Sequence, residues 1–158
     1  MSLRVGNGFD VHRFSDDPAR LLVLGGVVFE GERGLDGHSD ADVVAHAVAE
    51  ALLGAAGMPD IGSLFPDGVD QWAGADSIDL LAEVVRLTRG EGWVVHNVDC
   101  SVIAERPKVA PRREEMQHRL TAVVGAPVTL SGRRAEGLGA IGRVEGIACL
   151  ATALMEST

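Results

Sequence analysis

The chain has 158 residues, 46% of them hydrophobic, and its 14 Lys and Arg against 23 Asp and Glu leave a net charge of −9. A chain of this size buries roughly 68–70% of its unfolded surface, so one domain spanning residues 1–158 is expected to fold without staples. The acidic balance lacks the electrostatic footprint of a nucleic-acid binder and disfavours docking on an anionic membrane, so neither partner is expected.

The opening MSLRVGNGFD holds no apolar run of signal-peptide length and no window reaches the length of a membrane span, so a soluble, cytoplasmic protein is expected. Leu3 to His12 reads as a strand. Leu21 to Phe29 is a second apolar run, interrupted by Gly25-Gly26 as a bulge or a hairpin. From Ser39 the period becomes helical: Val43, Val44, Ala47, Val48, Ala51, Leu52 and Ala55 share a face, and Gly57 ends it. Ser39 with Asp42 three residues on resembles a capping box.

Met58 to Trp72 reads as loop, and a second helix follows Asp76 or Ser77, with Ile78, Leu81, Val84 and Val85 on its apolar face. Trp93 to Ala104 is β-branched and alternating, hence a strand. Pro107 is read as opening a third helix, with Met116, Leu120 and Val123 inward, and strands at about Pro127–Ser131 and Gly146–Ala153 close the chain. The loose alternation predicts an α+β sandwich with one sheet covered by helices on one face. Cys100 and Cys149, far apart in apolar stretches, read as reduced core residues. The 20 glycines, well above an average share of about 7%, point to tight turns and close backbone approaches.

Asp10 and His12 are two apart on a strand, so both point to one face. His46 lies on the first helix, one turn beyond Asp42. Asp, His and His are good zinc ligands, and three protein ligands leave a fourth tetrahedral position open, as catalytic sites do. Spacing does not establish that the strand and helix meet; D-x-H is a weak signal, and a lone helical His is more often an ordinary surface or core residue. His96 and His118 lack such company and read as ordinary.

The segments VGNGFDVHRF, GHSDADVVAHAVAEALLGAAG, DIGSLFPD, GADS, NVDCSVIAERPKVAP and EGLGAIGRVEGIA resemble, in order and with compatible spacings, the 2-C-methyl-D-erythritol 2,4-cyclodiphosphate synthases. The likeness runs from about Arg4 to Ala153, and the combination of F-D-V-H, H-S-D-x-D-x-x-x-H and G-R-x-E-G-I-A is highly specific. The resemblance implies a ferredoxin-like, two-layer α+β subunit with one mixed sheet. It further implies a homotrimer with active sites between neighbouring subunits, acting in the non-mevalonate route to isoprenoids. The implied enzyme is a phosphorus–oxygen lyase. The 2-phosphate of 4-diphosphocytidyl-2-C-methyl-D-erythritol 2-phosphate attacks the β-phosphorus, a cyclic diphosphate forms and CMP leaves.

By the same resemblance Asp10, His12 and His46 hold Zn2+ against the substrate's β-phosphate, and Glu136 holds Mg2+ or Mn2+ bridging the α- and β-phosphates. His38 and Ser39 match a loop contacting the phosphates and the erythritol, at the expected N-terminus of the first helix, where Ser39 alternatively only caps. Asp42 either orients a zinc-bound His or caps. Asp60, Ile61 and Gly62 match positions that hold the methylerythritol, with Phe65 to Val69, Asp67 among them, lining the same pocket. Ala104, Pro107, Lys108, Val109 and Ala110 match the cytidine pocket; the alternative is a helix start with Lys108 solvated. Ala140 and Arg143 match substrate-contacting positions. With Phe9 and Glu145, Arg143 also matches the central cavity of the trimer.

The family's threonine run before the metal-binding Glu is replaced by Ser131-Gly132-Arg133-Arg134-Ala135. Arg134 either donates bidentate hydrogen bonds to phosphate in place of a Thr or crowds the site. His38, Arg134 and Glu136 are the expected catalytic residues. Smaller departures are Asn7, Ala73, and Gly68 and Val69 in FPDGVD. Two rival readings rest on the altered run alone: a metal-dependent hydrolase of nucleoside diphosphate derivatives, and a non-catalytic trimeric homologue.

Overall fold

Side chains alternate across a strand, and in the first strand that alternation is unusually sharp: Gly6, Gly8, Asp10 and His12 turn one way, and Val5, Phe9 and Val11 the other. The computed structural model describes residues 1–66 and 74–158. Its elements are β1 (Leu3–Arg13), β2 (Leu22–Leu24), β3 (Val27–Phe29), α1 (Val43–Ala56), α2 (Ile61–Leu64), α3 (Ser77–Gly90), β4 (Trp93–Ile103), α4 (Arg113–Val124), β5 (Val128–Arg133), α5 (Gly139–Gly142) and β6 (Gly146–Ser157). Gly25-Gly26 turns the second apolar run into the hairpin β2–β3.

The main sheet has the order β1-β6-β4-β5, so β1 and β5 are its two edges. β6 is antiparallel to both neighbours, and β4 and β5 are parallel. α1 packs on β1 and β6, α4 on β5, and α3 touches both helices. This is the expected α+β two-layer sandwich around one mixed sheet, with the chain running β1, helices, β4, α4, β5 and back through β6. Among the described residues no helix is long and apolar enough to cross a membrane.

What sets α1 so close to β1 is the absence of side chains beneath it. A Cβ on Gly8 would lie 1.8 Å from the carbonyl oxygen of Ala47, and one on Gly6 would lie 2.0 Å from that of Ala51. The helix therefore sits directly on strand backbone, with alanines facing glycines. Its other sides bury Leu52 and Leu53 within the core. Each such leucine contributes about 2 kcal/mol by leaving water. Cys100 and Cys149 are free and buried, as expected.

Three boundaries differ from the expectation. The N-cap of α1 is Asp42, whose carboxylate accepts the N–H groups of Val44 and Ala45, so Ser39 lies outside the helix and no Ser39 capping box forms. Pro107 does not begin a helix: its peptide with Arg106 is cis, Pro111 sits in a 3-10 turn at Ala110–Arg112, and α4 starts only at Arg113. The inward residue near the end of α4 is Val124, with Val123 half-buried. The stretch expected as loop contains α2, capped by the Asp60 side chain on the Ser63 N–H.

Candidate functional site

Among the described residues, Asp10, His12 and His46 form the one group of three His, Cys, Asp or Glu side chains able to close on a metal ion, with ligand atoms all within 4.8 Å of one another. Asp10 Oδ2 lies 3.1 Å from His12 Nε2 and 3.2 Å from His46 Nδ1. Zinc bonds of about 2.0–2.1 Å at tetrahedral angles put ligand atoms about 3.3 Å apart, so the spacing fits such an ion. The strand and the helix meet because the glycines of β1 let them.

The outer nitrogens of both imidazoles are committed. His12 Nδ1 is 2.7 Å from the carbonyl oxygen of Asp36, which can only accept, so Nδ1 carries the proton and Nε2 turns its lone pair inward. Arg20 fixes that loop, donating to the carbonyls of Leu35 (2.8 Å) and Gly37 (3.1 Å) and to that of Ser39. His46 Nε2 lies 2.8 Å from the Ser77 hydroxyl, leaving Nδ1 to face Asp10. Two inward lone pairs beside a carboxylate repel unless a cation sits among them. Asp10 raises the proton affinity of His12 above the ordinary imidazole value, against the opposing effect of burial. Burial would push Asp10 up, but its contacts with His12 and His46 outweigh that and hold it at about 2.

The other expected residues divide between the two edges of the sheet. His38 is exposed and Ser39 half-buried on the loop before α1, beside the metal ligands; Ser39 Oγ accepts the Ala41 N–H at 3.3 Å. Ile61 N–H donates to Glu50, one turn beyond His46 on the same face of α1, so Asp60, Ile61 and Gly62 fold back towards the metal edge. Phe65 is buried. Asp67 and the rest of 67–73, with Gly68, Val69 and Ala73, lie outside the described residues. Asp42 is entirely buried, and its carboxylate accepts the N–H groups of Gly25 and Gly26 as well as those of Val44 and Ala45, so it caps α1 and ties the hairpin down. That burial pushes its carboxyl up to about 6 despite these hydrogen bonds.

At the β5 edge, Ala104, Pro107, Lys108, Val109, Ala110, Arg133 and Arg134 line one cavity of about 660 Å³, together with Glu32, Glu105, Arg106 and Gly132. Sequence reasoning missed Glu105. Its carboxylate takes both the Nε (3.2 Å) and an Nη (2.8 Å) of Arg134 and the N–H groups of Ala135 (2.8 Å) and Gly137 (3.3 Å). The Arg134 contact holds the Glu105 carboxyl below its ordinary value. The loop thus pinned presents Glu136 in a left-handed conformation, φ 54°. Arg134 was a signal: an arginine in a run of small residues calls for a counter-charge one strand away. Ala140 and Arg143 sit on and just after α5, and Arg143 pairs with Glu145 at 2.7 Å. His96 is exposed and pairs with Glu156 at 2.8 Å.

The YgbB family model matches residues 3–156. The chain belongs to the YgbB family. It is 54% identical over 158 residues to the 2-C-methyl-D-erythritol 2,4-cyclodiphosphate synthase of Rubrobacter xylanophilus, covering 97% of this chain and 94% of that protein. It is 50% identical over 159 residues to the synthase of the same name from Cyanothece sp., covering 99% and 98%. Among solved structures, IspF of Plasmodium falciparum in complex with CDP superposes with a TM-score of 0.86 at 30% identity, covering 99% of this chain and 97% of that one. In this YgbB chain the cluster able to hold a metal ion, Asp10, His12 and His46, lies at the β1 edge, and the Glu105–Arg134 pair at the β5 edge.

Proposed function

We propose that the chain is a 2-C-methyl-D-erythritol 2,4-cyclodiphosphate synthase, a phosphorus–oxygen lyase of isoprenoid biosynthesis. The observation that carries the reading is the Asp10–His12–His46 cluster, with its tautomers fixed for metal binding, in a chain about half identical over its length to synthases of that name. The nucleophile is the substrate's own 2-phosphate, so the enzyme must neutralise and align two anions and needs no activated water. Zn2+ on Asp10, His12 and His46 would supply a Lewis acid for the diphosphate. Glu136, a single carboxylate on a pinned loop, suits Mg2+ or Mn2+ shared with phosphate oxygens.

His38 and Ser39 reach the phosphates, Asp60, Ile61 and Gly62 the polyol, and Ala104 to Ala110 the cytidine. Ala135, Ala140 and Arg143 belong to the same phosphate-side loop. Arg133 and Arg134 bring positive charge to the diphosphate side of the cavity. Glu105 pairs with Arg134 and holds it at the cavity wall; the relatives' shared name speaks for the synthase over the hydrolase and non-catalytic readings.

The two halves of such a site sit on opposite edges of one subunit. β1 and β5 are separated by β6 and β4, three strand spacings or about 14 Å. The β1–β6 half of the open face is apolar, with Val5, Phe9, Val11 and Leu150 exposed and Phe9 paired to Leu150, and beside them lie the polar pairs Asn7–Thr152 and Asp99–Thr129. A homotrimer that covers this face and brings the β1 edge of one copy to the β5 edge of the next completes the site. A cytoplasmic location goes with this reading. The test is to incubate the protein with the cytidine substrate, Zn2+ and Mg2+ and follow ³¹P NMR. A cyclic diphosphate with CMP is expected; linear phosphates, or no turnover, overturn the reading.

A further inference from the structure

Ser77 is fully buried at the first turn of α3, far along the chain from every metal ligand, yet its hydroxyl lies between His46 Nε2 and the carboxylate of Asp40. Asp40 is held in turn from two sides, by the N–H of Ser77 at 3.1 Å and by that of Asp42 at 3.1 Å. A serine hydroxyl has one proton and two lone pairs. An ionised carboxylate only accepts, so that proton goes to Asp40. Only lone pairs then remain for His46, and Nε2 must carry a hydrogen.

From this chain we infer that Asp40 and Ser77 are positioning residues for the metal site: Asp40 fixes the Ser77 hydroxyl, and Ser77 fixes His46 as the tautomer whose Nδ1 lone pair faces the metal. The inference rests on the reading of Asp10, His12 and His46 as a metal site. It assigns to Asp40 and Ser77 the work that a carboxylate commonly does directly on a zinc-bound histidine. The serine is needed because Asp40 comes from the loop before α1, whereas the outer nitrogen of His46 points at α3. The arrangement also joins three parts of the chain, the 36–42 loop, α1 and α3, at the one ligand that β1 does not supply.

The two members of the relay have different failure modes. In Ser77→Ala, His46 Nε2 keeps only its longer contact with the Ser39 hydroxyl at 3.5 Å and stays free to present Nδ1, and zinc affinity is expected to fall about 10-fold. In Asp40→Asn, the amide can donate to the serine, whose proton then turns to His46 Nε2 and favours the tautomer with Nδ1 blocked. Affinity is expected to fall about 100-fold, at the upper end for such partners. The experiment titrates zinc against a chromophoric chelator for wild type, Ser77→Ala, Asp40→Asn and His46→Ala, and records melting curves of each metal-free protein. Losses in both relay variants, larger in Asp40→Asn, at unchanged metal-free melting temperature support the proposal. Affinities within about threefold of wild type, or losses that track metal-free melting temperature, overturn it. His46→Ala separates the two readings: if it also binds zinc like wild type, the metal-site reading itself fails, and if it alone loses zinc, only the relay does.

Discussion

The two edges of the sheet are built by different means. At the β1 edge the functional atoms come from regular elements, a strand and a helix brought into backbone contact by Gly6 and Gly8, and each imidazole is held on both sides. At the β5 edge the cavity is walled by the turn after β4 and the loop after β5, and one carboxylate, Glu105, organises the loop that carries Glu136. A metal tolerates little error in ligand placement, whereas a nucleotide pocket can be shaped from loops whose backbone groups read the ligand.

That contrast can be broken in several ways. The largest effect is expected from His12→Ala. Losing several kcal/mol of charge stabilisation should lower turnover about a thousandfold, measured as CMP release. Next comes a mixing experiment. Copies carrying His46→Ala and copies carrying Glu136→Ala, each inactive, are unfolded together and reassembled. Random trimers should recover about one quarter of wild-type activity, because that share of junctions joins two intact edges. No recovery would place both halves of the site in one subunit.

Stability should separate the edges too. Gly8→Ala forces α1 off the strand and is expected to cost about 3 kcal/mol or more by thermal melting, at or beyond the upper end for overpacked cores. Gly137→Ala, also a glycine but with open space around it and φ of 73°, should cost only about 1 kcal/mol of left-handed strain. The smallest effect is local. Glu105→Gln should raise KM for the cytidine substrate while leaving zinc affinity unchanged. Because Arg134 lowers the Glu105 carboxyl, its hold on the loop is complete above the ordinary carboxylate value and is lost as pH falls through the lowered one. Amide exchange at Gly137 should report that loss, and Glu105→Gln should abolish its pH dependence.

The metal edge was largely legible in the sequence because its signals are periodic. Alternation in β1 and helical spacing in α1 put Asp10, His12 and His46 on definite faces, and the glycine excess announced close approach. What periodicity does not carry was missed. Ser77 acts through a contact between distant segments, and Asp40 through Ser77, so neither stands out locally. Asp42 was read as a cap or an orienting residue, and only its burial against Gly25 and Gly26 decides for the cap. At the other edge Pro107 looked like a helix start, since a proline suits the first turn of a helix, but the turn continues to Pro111 and the helix waits for Arg113. Arg134 was noticed and its partner Glu105 was not, because the pairing depends on β4 and β5 being parallel neighbours.

The alternation of β1 has one more consequence. The same short stretch carries metal ligands on its even residues and the apolar face on its odd ones, so a slip of one residue against β6 would exchange them. Phe9 and Val11 would then be thrust into the metal pocket, and Asp10 and His12 set among the side chains of the open face. On the function proposed above, such a misfolded copy could neither take up the ion nor join other copies. If the chain assembles as proposed, a single register would gate both properties at once.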